Sequence, residues 1–164
     1  MAEPRILLSG ILDAHFGENV RIVQPVNLYG CTIGDDSFVG PFVEIQRSAV
    51  IGKRCKIQSH AFVCELVTIG DDCVISHGAK FINDPFANGG PAQGNRNLWR
   101  STRVGNHVSI GTNATILPVR ICDHVVIGAA AVVTKDVTEP GVYAGNPARL
   151  LRHLTPTKGG SRIP

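Results

Sequence analysis

Aromatic side chains are scarce in this sequence, with one tryptophan, two tyrosines and six phenylalanines among 164 residues. No block of lysine and arginine interleaves with them, and the formal charge of +3 is scattered. Nucleic acid is therefore not an expected partner, although a mild cationic surplus suits a small anionic ligand. The longest apolar run, Val125 to Val133, falls far short of the ~20 residues that cross a bilayer, so no membrane span is expected. The five cysteines include no CxxC and no Cys/His spacing suited to zinc. None of the six histidines stands in an H-x4-H pair, so no metal centre is expected. No signal peptide is expected either, and the free thiols point to a reducing cytoplasm.

What the chain has in abundance is a step of six. Ile33, Val39, Ile45, Ile51, Ile57, Val63, Ile69, Ile75 and Phe81 keep it without a slip. Four positions after most of them comes a second residue of buried type: Ser37, Val43, Ala49, Cys55, Ala61, Val67, Cys73 and Ala79. A period of six matches neither a helix near 3.6 nor a free strand at 2. It matches short strands separated by sharp corners, wound into a parallel β-helix with three sides per turn. Residues eighteen apart then stack about 4.8 Å apart, the spacing of neighbouring strands. The 18 glycines and 10 prolines become corner residues rather than signs of disorder.

Along the chain, the apolar stretch Ile6 to Leu8 is expected to cap the open end of the coil, and Phe16, Ile22 and Leu28 to begin the repeat. Regularity stops at Asn83. Residues 84–103, rich in Gly, Asn and Pro, read as a long excursion whose Phe86 and Trp99 pack against something. The hexad resumes at Val104, Ile110 and Ile116, then at Ile121, Ile127 and Val133. Pro147 is placed as the first residue of a short C-terminal helix, about 147–154, and residues 155–164 as a mobile tail. Residues 1–154 form a single all-β domain on this reading.

The register creates columns on the outside of the coil. Arg47, Glu65 and Asn83 fall eighteen apart and are expected to form a polar ladder that ends where the excursion leaves. His77 stacks over Ser59, with His60 one place further along the turn below. His60 and His77 thus share one corner, and Glu65 and Asn83 the next. An interruption re-aims side chains at a site, which singles out Asn83 and Asp84.

The pieces NLYGCTIGDDSFVGPFVEIQ, HAFVCELVTIG, HGAKFINDPF, VSIGTNATILP, GAAAVVTKDV and YAGNPAR make the chain resemble the hexapeptide-repeat acyltransferases. The combination of CELVTIG, FIND and GNPAR is similar to the branch that acetylates the amino group of dTDP- or UDP-linked 3-amino or 4-amino deoxysugars for surface polysaccharides. The resemblance implies a left-handed parallel β-helix, a homotrimer with active sites between subunits, and acetyl-CoA as donor in the groove between two coils. It places Ser109, Gly111 and Ala129 along the pantetheine, with Lys135 and Arg149 near the CoA phosphates. In the related sugar O-acetyltransferases a His–Pro pair follows the repeat break, whereas here the place reads Asn83–Asp84–Pro85. A sugar amine needs no base as strong as a hydroxyl does, so the resemblance points to an amine acceptor held by Asn83 and Asp84. Glu65, His60, His77 and Arg47 are then the candidate sugar-binding residues. Hydroxyl acetylation with His77 or His60 as base, and a non-catalytic β-helix trimer, are the alternatives.

Overall fold

The computed structural model describes residues 9–154. Two-residue strands such as Glu44–Ile45, Val50–Ile51 and Lys56–Ile57 recur at each hexad, one residue facing in and one facing out. They stack into three parallel sheets, the all-β architecture of a left-handed β-helix with about seven turns. Sheet one has seven strands and runs from Ile11–Leu12 to Val132–Val133. Sheet two has six, from His15–Phe16 to Arg120–Ile121. Sheet three has eight, from Arg21–Ile22 onward. The chain passes from sheet one to two across the first corner, two to three across the second, and three to one across the third.

The stacking step is eighteen in the regular block. Phe62 pairs with Glu44 on one side and Lys80 on the other, and Val74 with Lys56. Each hexad isoleucine is sealed inside, and the fifth-position residues Ser37, Val43, Ala49, Cys55, Ala61, Val67, Cys73 and Ala79 are all buried as well. Corners demand a left-handed residue, and Asp36, Arg54, Asp72, His107 and His124 supply it at the second corner with φ between 53° and 58°. Asp, Asn and His tolerate that conformation better than bulky residues do, which explains the polar corners. Ser37 is buried yet satisfied, because its hydroxyl donates to the Gly52 carbonyl at 2.9 Å and accepts from the Cys55 N–H at 3.0 Å.

Three sequence expectations need correction. The repeat starts earlier than Phe16, because Ile11 and Leu12 already pair with Leu28 and Tyr29. The excursion ends sooner than 103: Thr102 and Arg103 are strand residues paired with Val67 and Thr68. The C-terminal helix is not formed. Arg149–His153 is instead a strand, antiparallel to Gly141–Ala144. The last parallel strand of sheet three presents an open edge, and pairing along it satisfies backbone groups that an isolated two-turn helix would leave in solvent. All five of its side chains are exposed in this pairing, Leu150 and Leu151 among them. The expected cap at Ile6 to Leu8 and the tail at 155–164 lie outside the described residues. Among the described residues no helix is long and apolar enough to cross a membrane.

Candidate functional site

The first corner is where the coil is broken. Thr102 pairs with Val67 across 35 positions, where the step is 18 in the turns below, so the excursion inserts 17 residues between Phe81 and Thr102. Its root is tied down from several directions. The Asn83 side-chain amide donates to the Glu65 carbonyl at 3.3 Å, and the Asn83 carbonyl accepts from the Arg100 N–H at 2.8 Å. The Asp84 carboxylate accepts from the Phe86 N–H at 3.0 Å and the Ala92 N–H at 2.7 Å, closing the loop on itself. Asn95 caps a single 3-10 turn, Arg96–Leu98, from which the Arg96 guanidinium reaches back to the Glu65 carboxylate. The same guanidinium lies 5.6 Å from the centre of the Trp99 ring. Trp99 therefore packs, as expected, whereas Phe86 projects into solvent.

Below Glu65 lies a network that the sequence did not announce. Glu44 accepts from the Tyr29 hydroxyl at 3.2 Å and from the Gln46 amide at 2.9 Å. Gln46 in turn accepts from the Glu65 N–H at 3.4 Å. Partial burial, then the charges of Glu44 and Glu65, push the Tyr29 phenol up to about 12. Four rungs of the coil thus converge on one half-buried polar patch, with Glu65 and Arg96 as its only ion pair among the described residues. Stacking at the strand interval was the available signal for Glu44, since it is paired with Asn27 and Phe62. Nothing in the sequence pointed to Arg96, which sits in a stretch without period. The three-membered ladder forms only in part: Arg47 folds its stem over Gly30 and is exposed, leaving Glu65 and Asn83 as the connected pair.

The third corner, across sheet one, holds the histidines. His77 Nδ1 and the Ser59 hydroxyl are 2.8 Å apart. The His60 ring stacks on Phe42 at 4.9 Å between centroids. Within one chain, sheet one separates these rings from Glu65 and Asn83.

The residues chosen for coenzyme A also divide. Ser109 points outward from sheet three, and Gly111 and Ala129 stand on successive rungs of the third corner. A Cβ on Gly111 would lie 2.6 Å from the Ala129 nitrogen, so the coil's own stacking requires glycine there, whatever binds outside. Lys135 and Arg149 line a separate cavity of about 340 Å³ at the C-terminal end, together with Asp136, Tyr143 and Leu150. No group of three or more His, Cys, Asp or Glu suited to a metal occurs among the described residues.

A family model described as bacterial transferase hexapeptide (six repeats) matches residues 30–65. A second, described as hexapeptide repeat of succinyl-transferase, matches residues 101–135. The two matched blocks lie on either side of the excursion. This chain is a hexapeptide-repeat protein. A serine acetyltransferase from Mycobacterium tuberculosis is 35% identical over 122 residues, which are 72% of this chain and 49% of that protein. The bifunctional protein GlmU of Clostridium beijerinckii is 31% identical over 141 residues, 80% of this chain and 30% of that one. The chain thus spans about a third to a half of the length of these curated relatives. Among solved structures, a point mutant of the N-acyltransferase AntD from Bacillus cereus, in complex with dTDP and coenzyme A, shares the fold of this hexapeptide-repeat coil. Its TM-score is 0.67 at 22% identity, over 88% of this chain and 86% of that one. A maltose O-acetyltransferase from Clostridium difficile also shares the fold, with a TM-score of 0.55 at 24% identity, over 88% and 71% of the two chains.

Proposed function

We propose that this protein is an acetyl-CoA-dependent N-acetyltransferase acting on the amino group of a dTDP- or UDP-linked 3-amino or 4-amino deoxysugar for surface polysaccharides. It would work in the cytoplasm as a homotrimer with sites between subunits. One observation carries the reading: where the coil breaks, the side chains at hand are an amide and two carboxylates, Asn83, Asp84 and Glu65, and no histidine. That set suits an amine, which arrives partly protonated and gains positive charge as it attacks. It does not suit a hydroxyl, which must lose its proton to a base during attack. AntD, with dTDP and coenzyme A bound, supplies a fold-level precedent for the two ligand classes.

In this mechanism the neutral amine nitrogen attacks the thioester carbonyl, and the C–N bond forms as the carbonyl electrons move to oxygen. Collapse breaks the C–S bond and expels CoA thiolate, which takes the proton released from nitrogen. The Asp84 carboxylate accepts from two of the loop's own N–H groups at roughly four lone-pair positions, so it keeps capacity for the positive charge that develops on the attacking nitrogen. Asn83 is held at the same root. Glu65, already paired with Arg96, holds the sugar on the rung below. Because sheet one separates His60 and His77 from Asn83, they serve this site only from a neighbouring subunit, facing the sugar there. Ser109, Gly111 and Ala129 line the pantetheine, and Lys135 and Arg149 take phosphate charge.

A second reading, sugar O-acetylation, rests on the Ser59–His77 contact at 2.8 Å, which fixes the imidazole as a base would need. A thiol-release assay with acetyl-CoA and a panel of amino and hydroxy nucleotide sugars tests both. Turnover of amino sugars alone supports the first reading, and turnover of hydroxy sugars alone replaces it with the second. Silence with every sugar would leave a non-catalytic β-helix.

A further inference from the structure

At the second corner opposite charges meet rung on rung, with Lys53 2.8 Å from Asp35 and Arg54 2.7 Å from Asp72. On sheet two an in-register pair is of like charge. Arg103 and Arg120 are direct cross-strand partners on the outer face of sheet two, both exposed. Among the described residues neither guanidinium has a carboxylate within 4 Å. Like charges directly opposite one another on a sheet are destabilising, so the pair is held at a cost in the isolated chain. The two arginines line a concavity of about 580 Å³ with Thr68, Cys122, Asp136 and Thr138. Asp136 stands beside them with its Oδ1 accepting from the Arg120 N–H at 2.8 Å, and its single charge offsets one guanidinium at most. Thr68 below and Thr138 above add hydroxyls. Asp136 and Val137 also wall the cavity that holds Lys135 and Arg149. The two adjoining hollows therefore carry four cations and one carboxylate.

We propose that Arg103 and Arg120 form a phosphate-binding site on the outer face of sheet two. Two planar guanidinium forks at strand spacing match the oxygens of a phosphate group, and the anion removes the like-charge penalty that the bare sheet bears. The site is argued from this chain's own geometry, while the choice of coenzyme A and dTDP as probes rests on the proposed function. The phosphate has two candidate sources, the 3′-phosphate of coenzyme A and the diphosphate of the nucleotide.

Equilibrium titration separates them. Wild type, Arg103→Gln, Arg120→Gln and the remote control Arg21→Gln are each titrated with coenzyme A, dephospho-coenzyme A, dTDP and inorganic phosphate. Each sheet-two variant is expected to weaken coenzyme A or dTDP about tenfold relative to the control. A loss for coenzyme A without one for dephospho-coenzyme A assigns the 3′-phosphate, and a loss for dTDP assigns the diphosphate. Thermal unfolding gives a second readout: in phosphate-free buffer each sheet-two variant should be at least as stable as wild type, and phosphate should stabilise wild type and Arg21→Gln but neither sheet-two variant. All probes binding within about twofold of wild type in both variants, or no probe binding wild type, overturns the site. Wild-type acyl transfer in those variants would then leave the proposed enzyme standing. Phosphate binding lost in the variants, from a protein that turns over no sugar, would keep the site and remove the enzyme.

Discussion

The two corners flanking sheet two both carry polar side chains and behave in opposite ways. At the second corner Asp35, Lys53, Arg54, Asp72 and His107 answer one another rung by rung, and each turn follows the last without insertion. At the first corner the charges are few, and the chain leaves the coil for 17 residues before pairing again. The second corner is a splint, and its side chains are consumed by each other. At the first, Glu65, Asn83 and Asp84 are held at the base of a projecting loop, with capacity left over. A polar column on a solenoid is therefore no sign of chemistry in itself. The interruption beside it is what sets the first corner apart from the second.

The largest effect that can break this contrast is catalytic. Asn83→Ala and Asp84→Ala should each lower kcat by ~10²-fold or more while the coil stays folded, as for loss of an oriented transition-state contact. Arg54→Ala at the splint should leave kcat within about twofold, since its partners are other corner residues. Steady-state kinetics with the best amino-sugar acceptor, alongside circular dichroism, decide it. Comparable losses at both corners would abolish the distinction.

Next in size is the core beneath the third corner, where among the described residues no insertion and no charge ladder occurs. Ala61 and Ala79 are buried at fifth positions of successive turns, where backbone closes around a methyl group. Ala61→Leu or Ala79→Leu should overpack the corner and cost ~1–3 kcal/mol in urea unfolding. Parent-like midpoints for both would mean that corners have room to spare. In that case their small residues would need another reason.

The coil was legible in the sequence because its core imposes a strict local rule. One inward residue every sixth position suffices to place Ile33 through Phe81, and a step of eighteen brings Glu44, Phe62 and Lys80 into register. Rules fail where contacts stop being periodic. Arg96 meets Glu65 across 31 positions through a loop with no repeat, so its role is visible only in three dimensions. The Arg103–Arg120 pair was hidden by the five-residue step from Ile116 to Ile121, which brings that rung to seventeen. At the C-terminus, Pro147 fitted a helix start, yet the open edge of Gly141–Ala144 outweighed the local preference and drew Arg149–His153 into a strand. For the site, the corner and the break were readable. The converging partners Tyr29, Glu44 and Gln46 were not.

The smallest effect concerns pH and falls on the splint alone. The Arg54 guanidinium beside Asp72 holds that carboxyl below its usual range, and Lys53 does the same for Asp35. For Asp123 the first cause is the Asn106 backbone N–H. A carboxyl whose folded pKa lies below its unfolded value binds protons more readily when unfolded. Its contribution is therefore complete above the unfolded value of about 3.9 and drains away as pH falls toward the folded one. Thermal midpoints should stay level from pH 7 to about 5 and then fall. Asp72→Asn, which cannot titrate, should give a shallower acid limb than the parent and lose its sensitivity to added salt there. An acid limb as steep in Asp72→Asn as in the parent would show that the second-corner ladder does not set the acid response.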